Sequence, residues 1–198
     1  MTRVIAINGS ARKDGNTAIL IRHMLAELEN EGIETELVQL AGKTIRGCTA
    51  CMKCFENKDR RCVLDDDIVN EYIEKMAAAD GIILGSPVYF SDVTAEMKAL
   101  VDRAGFVSFA NDGLFTRKVG SAVVAQRRTG ATHSLDTLYH FLFSQDIIIP
   151  GRPTVGVGRE VGDVGTDDEG IAAAKNAGRN MAWVLKAATA MSGTHSLK

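Results

Sequence analysis

Short apolar, β-branched runs alternate along this chain with longer stretches whose apolar positions recur at helical spacing. The first run, 3–7 (Arg-Val-Ile-Ala-Ile), is nearly continuous rather than alternating, which predicts a strand covered on both faces. From Thr17, the residues Leu20, Met24 and Leu28 fall on one helix face, and Gly32 offers a C-cap. Residues 34–39 predict a second strand, and 41–64 an irregular stretch. Ile68, Tyr72 and Met76 mark a helix to about 79, with Asp65, Asp66 and Asp67 as acidic first-turn residues. Residues 81–85 predict the third strand and 86–90 a loop, since Pro87 disfavours helix in the residue before it. Ser91 or Asp92 is the expected cap of the next helix, whose inner face carries Val93, Met97, Leu100, Val101 and Ala104. A strand at 119–125 and a helix at about 131–144 follow, then strand signals at 146–149 and 154–158. A last helix spans about 168–190, with Ile171, Met181, Val184 and Leu185 inward and the single tryptophan, Trp183, expected in the core. Residues 189–198 read as a frayed tail.

Strands alternating with helices imply a parallel sheet with helices on both faces. Five such units fit a three-layer α/β/α, doubly wound arrangement with strand order 2-1-3-4-5. Residues 1–198 read as one domain, with 41–64 as an insertion. Ligands in such sheets sit beyond the carboxyl ends of the strands, where the strand order reverses, so the loops after strands one, three and four matter most.

Composition narrows the function classes. The formal net charge of −2 argues against a broad nucleic-acid face. No run approaches 18 consecutive apolar residues, so no membrane span is expected. The N-terminus reads directly as a strand without a signal-peptide pattern, so the expected location is the cytoplasm, where thiols stay reduced.

The first strand runs into Asn8-Gly9-Ser10-Ala11-Arg12-Lys13-Asp14-Gly15-Asn16-Thr17 and then a helix. Gly9 and Gly15 allow a tight turn and close backbone approach. The helix start offers unpaired N–H groups and the positive dipole end. Ser10, Asn16 and Thr17 add neutral donors and Arg12 a charged one, a set suited to a phosphate monoester. The loop lacks the Gly-Lys-Ser/Thr of a P-loop and the Gly-x-Gly-x-x-Gly of a dinucleotide site. It has no cysteine nucleophile. A plain glycine turn with a Ser or Asn cap is the blander alternative.

Two further loops leave the same sheet edge. Pro87, Val88, Tyr89 and Phe90 could meet the polar edge of an isoalloxazine, or Tyr89 and Phe90 could simply pack on the core. Gln126 and Arg127 lie within reach of the same ligand, with a solvated basic turn as the alternative. The segment 9–17 together with Asp80-Gly81-Ile82-Ile83-Leu84-Gly85-Ser86-Pro87-Val88-Tyr89 resembles the NADPH-dependent FMN reductase and multimeric flavodoxin superfamily over nearly the whole chain. Ala11 stands where many members have proline. The resemblance implies a flavodoxin-like fold and FMN. It implies a phosphate held by Ser10, Arg12, Asn16 and Thr17, and a ring held by 87–90. It also implies a homodimer or homotetramer with the flavin near a subunit interface.

All four cysteines cluster as Cys48-x2-Cys51-x2-Cys54-x7-Cys62. Four thiolates at this spacing suit a [4Fe–4S] cubane, although the fourth lies further off than in bacterial ferredoxins and lacks a following proline. Zinc more usually shows two Cys-x-x-Cys pairs with a longer spacer, and bare or redox-active thiols are the third possibility. The spacing resembles the iron–sulfur flavoprotein group of the same superfamily, which implies electron passage between a cluster and FMN. The placement after strand two predicts a position on the flavin side of the sheet.

The expected function is an FMN-dependent oxidoreductase or electron-transfer flavoprotein, with no catalytic side chain because the cofactors carry the chemistry. Its partner is a redox protein or a small-molecule acceptor. The alternatives are an NAD(P)H-dependent FMN or quinone reductase without a cluster, and a non-enzymatic, zinc-stapled phosphate- or nucleotide-binding module. NAD(P)H enters only as a transient substrate, because no second nucleotide fingerprint is present.

Overall fold

A computed structural model describes residues 2–192. Five strands form one parallel sheet in the order β2-β1-β3-β4-β5. They are β1 Arg3–Asn8, β2 Glu34–Gln39, β3 Gly81–Pro87, β4 Val119–Gln126 and β5 Thr154–Val157. The helices are α1 Asn16–Asn30, α2 Lys53–Asn57, α3 Val69–Ala78, α4 Ala95–Ala110, α5 Ala131–Ser144 and α6 Asp168–Ser192, with a 3-10 turn at Asp163–Thr166. This is the flavodoxin-like, doubly wound arrangement expected from the element order.

Successive strand residues point to opposite faces, and the core divides accordingly. Ile5, Ile7, Ile82, Leu84, Ala122 and Val124 pack with α3, α4 and α5. Val4, Ala6, Ile83, Val123 and Ala125 pack with α1 and α6 on the other side. Burying each large aliphatic contributes roughly 1.5–3 kcal/mol, so the central strands are the most firmly anchored elements.

Several boundaries depart from expectation for local reasons. β3 extends through Pro87 because β1 has already ended, with Asn8 opposite Gly85. Val88 N–H bonds to Ala125 O at 2.9 Å, so Pro87 faces the side that β1 has vacated, where a missing N–H costs nothing. Helix α4 is capped by neither Ser91 nor Asp92. Thr94 caps it, its hydroxyl accepting from Met97 N–H at 3.3 Å. Trp183 is not in the core but 73% exposed. The inner stripe of α6 is Ala174, Ala177, Met181 and Leu185, and Trp183 lies two residues, about 200°, round from Met181. The expected tail is helical through Ser192, and residues 193–198 lie outside the described residues. Among the described residues, no helix is long and apolar enough to cross a membrane.

Candidate functional site

Three loops converge where β1 and β3 end. Gly9 N–H bonds to Gly85 O at 2.7 Å, and the Thr94 hydroxyl donates to Gly9 O at 2.8 Å. Ser86 Oγ accepts from Thr94 N–H at 3.1 Å. A Cβ at Gly9 would lie 3.1 Å from Gly85 O, so only glycine lets the two loops close this tightly. Gly130, at φ +97°, brings in the third loop: a Cβ there would sit 2.7 Å from Val88 Cγ1 and 3.1 Å from Ser91 Cα.

The first loop satisfies its inward groups locally. Asn8 Oδ1 accepts from Ser10 N–H at 3.0 Å, Ser10 Oγ from Arg12 N–H at 3.1 Å, and Arg12 O from Gly15 N–H at 3.1 Å. Its outward groups remain available. Gly15 caps α1 with no side-chain hydrogen bond, which leaves the helix's first N–H groups orphaned. Thr17 Oγ1 is buried and has no partner. A buried hydroxyl without a partner costs about 1–3 kcal/mol unless a ligand meets it. Asp14 is engaged by Arg22, and Arg12 and Lys13 have no acidic partner among the described residues. Dipole, orphaned donors and uncompensated cations together fit a dianionic phosphate.

Asn16 is used differently. Its Nδ2 donates to Glu160 O at 2.9 Å, and its Oδ1 accepts from Gly162 N–H at 3.0 Å. The amide therefore ties the turn between β5 and α6 beside the phosphate loop. That border was not legible in the sequence, where 150–170 showed only as glycine-rich and acidic. Asp163 builds the turn by accepting from Arg159 and Glu160 N–H at 3.1 and 2.7 Å.

The loop after β3 is a tight turn. Tyr89 N–H bonds to Asp92 O at 2.8 Å and Asp92 N–H to Tyr89 O at 3.2 Å, with Phe90 and Ser91 both left-handed at φ +49° and +75°. Thr137 Oγ1 donates to Asp92 Oδ1 at 2.8 Å, and His133 Nε2 lies 3.5 Å from Asp92 Oδ2. Tyr89 is about half exposed and Phe90 fully so, and neither packs on the core. Pro87 and Val88 are half-buried beneath them. In the third loop, Gln126 Oε1 accepts from Ala131 N–H at 3.1 Å and so caps α5. Arg127 is exposed.

The cysteine segment leaves β2 at this same edge but does not stay there. It descends along α4, with Arg60 N–H on Asn111 Oδ1 at 3.0 Å near the far end of that helix. All four cysteines line one concavity floored by Leu64, Phe106 and Val107, and none is in a disulfide. Ala50 and Met52 adopt left-handed backbone at φ +50° and +57°, one within each Cys-x-x-Cys step. These turns bring successive cysteines round to one side at a cost of order 1–3 kcal/mol each. Backbone N–H of Lys53 and the Thr49 hydroxyl lower the Cys51 thiol pKa, whereas burial raises that of Cys54. A zinc ion held by thiolates at about 2.3 Å brings its sulfurs within roughly 4 Å of each other. Among the described residues, no three His, Cys, Asp or Glu side chains are arranged to hold a single ion.

Arg103 holds this segment to the fold. Its side chain is fully buried on α4, between the turns of Leu100 and Val107. Nε donates to Cys62 Sγ at 3.3 Å, Nη1 to Arg46 O at 3.1 Å, and Nη2 to Leu64 O at 2.6 Å. Nη1 also pairs with Asp67. Burial by itself would raise the Asp67 pKa, but Arg103 and the N–H groups of Arg46 and Val69 outweigh it and hold the carboxyl below its usual range. Asp67 thus serves as a buried counter-ion, not simply as a dipole-complementing residue. The signal for Arg103 was present: a lone cation at i+3 from Leu100 on an otherwise apolar stripe.

Comparison with known proteins agrees with this geometry. The model of the family described as NADPH-dependent FMN reductase matches residues 2–162. An iron-sulfur flavoprotein of Methanocaldococcus jannaschii is 40% identical over 193 residues, covering 93% of this chain and 97% of that protein. An iron-sulfur flavoprotein of Archaeoglobus fulgidus is 32% identical over 166 residues, covering 84% and 73%. Among solved structures, a flavodoxin from the domain Archaea superposes with a TM-score of 0.62 at 14% identity, covering 93% of this chain and 99% of that one, which supports the fold. The chain therefore belongs to the NADPH-dependent FMN reductase family of flavin oxidoreductases, in its iron–sulfur flavoprotein-like group.

Proposed function

We propose that this protein is an electron-transfer flavoprotein that passes electrons between FMN and a [4Fe–4S] cluster. One observation carries the reading: four unpaired cysteines converge on one concavity in a chain whose α1 loop also leaves an orphaned phosphate donor set. When bound, FMN exchanges one or two electrons and the cluster one.

The chain's own residues bind, orient and shield. Ser10, Arg12, Gly15 and Thr17 hold the phosphate, with Asn16 acting through its backbone N–H and through the turn it anchors. Pro87 and Val88, half-buried, and Tyr89 and Phe90, exposed, would contact the ring. Gln126 and Arg127 border it from the third loop. Cys48, Cys51, Cys54 and Cys62 ligate the cluster. No side chain is assigned a proton-transfer role.

NAD(P)H would act as a transient electron donor, since the sequence carries no second nucleotide fingerprint. The protein works as a homodimer or homotetramer in a reducing cytoplasm, handing electrons to a redox protein or a small acceptor. Exposed Phe106, Phe109 and Phe143 on the α4–α5 face support such assembly. Residues 1–198 act as a single FMN-binding unit carrying the cysteine insertion.

Anaerobic purification and reconstitution test the proposal. The expected result is a brown protein with about one FMN, four irons and four sulfides per chain, in the proportions of a cubane. A yellow protein that takes up no iron would establish the second reading, a cluster-free NAD(P)H-dependent FMN or quinone reductase. The exposure of Cys48 and Cys51 is the observation favouring that reading.

A further inference from the structure

We infer that Arg103 is a positioning residue for the redox centre: it closes the cysteine segment at both ends and donates an N–H to the Cys62 sulfur, raising the centre's reduction potential. The inference rests on the cluster reading above and adds to it a residue outside the ligand set.

The closure is visible in the hydrogen bonds. Arg46 precedes Cys48 by two residues and Leu64 follows Cys62 by two. Arg103 donates to the carbonyls of both, at 3.1 and 2.6 Å. One planar guanidinium thus clamps both ends of the cysteine segment. A lysine ammonium, a point charge on a flexible stem, cannot hold two carbonyls, a carboxylate and a sulfur in one plane.

The electronic role follows from the Nε donor. Nε lies 3.3 Å from Cys62 Sγ. A neutral thiol is a weak acceptor, whereas a metal-bound thiolate is a good one. Burying a guanidinium carries a heavy desolvation penalty, and apolar packing alone would be met by a leucine or methionine at this stripe position. The penalty is offset by Asp67 and the carbonyls, and the geometry directs the Nε–H at the fourth cysteine. Hydrogen bonds to cluster sulfurs and nearby positive charge favour the reduced state, which carries one more negative charge. Asp67, behind the guanidinium, opposes that effect.

Arg103 and Asp67 therefore have opposite predicted effects on potential, which a purely structural pair would not have. In the reconstituted full-length protein, Arg103→Met should shift the cluster midpoint potential down, by at least a tenfold change in the reduction equilibrium, about 59 mV for one electron. Arg103→Lys keeps the charge but loses the fork, and should shift it down by less. Asp67→Asn should shift it up. Circular dichroism and FMN content check that each variant folds, and the low-temperature EPR spectrum of the reduced protein should change in the Arg103 variants.

Independently of any metal, tryptic cleavage at Lys53, Lys58, Arg60 or Arg61 in the iron-free protein should accelerate in Arg103→Met and Arg103→Lys. Wild-type potential in both Arg103 variants, or shifts of one sign in all three variants, would overturn the inference. So would loss of iron from all three alike. Loss of iron from the Arg103 variants alone, with faster cleavage, supports the clamp. Failure of the underlying cluster reading looks different, because wild-type protein itself then takes up no iron.

Discussion

The phosphate loop and the cysteine segment both leave the carboxyl edge of one sheet, yet they are held in place by different means. The phosphate loop is self-contained. Its bonds run from Asn8 to Ser10, Ser10 to Arg12 and Arg12 to Gly15, each spanning two or three residues. The cysteine segment has little such scaffold. Its anchors come from Arg103 on α4, some forty residues away in sequence, from Asn111 at the end of that helix, and from Asn70 on α3, which accepts from Cys62 N–H and donates to Cys62 O and Leu64 O. A locally built loop can be assembled before its ligand arrives. A loop fixed by side chains of the neighbouring helices depends on those contacts, the buried Arg103–Asp67 pair among them, and on whatever its four sulfurs bind.

The two regions are also separated in space. Arg103 is nine residues beyond the Thr94 cap, about 14 Å along α4. The expectation that the cysteines sit on the flavin side of the sheet is thus replaced by a centre part-way down a flanking helix. The largest predicted effect tests this separation. Replacing Cys51 and Cys54 together by serine should abolish iron uptake while leaving one FMN per chain. Parallel iron, sulfide and flavin analyses measure both. Loss of flavin together with the iron would mean that the two regions are one cooperative site.

The next largest effect concerns the ion pair. The folded-state pKa of Asp67 is lowered, so its contribution to stability is fully present above the unfolded value, near 4, and is lost as pH falls through the folded value. The melting temperature of the iron-free protein should therefore drop as pH falls below about 4, and less steeply in Asp67→Asn. At neutral pH, removing one partner of a buried pair costs about 3–5 kcal/mol. Asparagine keeps one oxygen for Arg103, so the loss should fall at or below the lower end of that range. Thermal melts of both proteins between pH 7 and pH 3 give both numbers.

The same contrast explains what the sequence revealed. Helix faces and the turn after β1 were legible because each rests on neighbours a few residues apart, and strand order, whose pairs are far apart in sequence, followed from the regular alternation of strands and helices. The four cysteines were legible as a group by spacing alone. Their position was not, because it depends on Arg103 and Asp67, whose pairing spans 36 residues. The Thr94 cap was not legible because Ser91 and Asp92 look equally suitable; both are taken up in the turn closed by Tyr89 and Asp92, and the bond that holds Thr94, to Gly9 O, spans 85 residues. Trp183 is expected in the core because it lies outside the ligand loops, and its helical phase, about 200° round from buried Met181, is what exposes it.

A smaller effect sharpens the phosphate side. Thr17→Val removes a hydroxyl that has no protein partner. If that hydroxyl meets the FMN phosphate, a hydrogen bond to a charged group worth about 1.5–3 kcal/mol is lost, roughly 10–150-fold in Kd. The stability of the flavin-free protein should stay level or rise slightly, because an unsatisfied buried group has gone. Flavin fluorescence titration and denaturant melts of the apoprotein separate the two quantities.

The smallest effect decides the role of Gln126. Its Oε1 already caps α5, and cap loss costs about 0.5–2 kcal/mol. If the remaining amide NH2 also reaches the flavin, Gln126→Ala should weaken FMN binding about tenfold in addition to a stability loss of about 1 kcal/mol, as expected for one modest hydrogen bond. Gln126→Glu separates the contributions. The glutamate retains an oxygen for Ala131 N–H, and its charge suits a helix start, so stability should hold. It cannot donate, and it places a negative charge beside the phosphate site, so FMN binding should weaken at least as much as in the alanine variant. Unchanged FMN affinity in both variants would reduce Gln126 to a cap and leave Arg127 as the third loop's one contribution to the flavin.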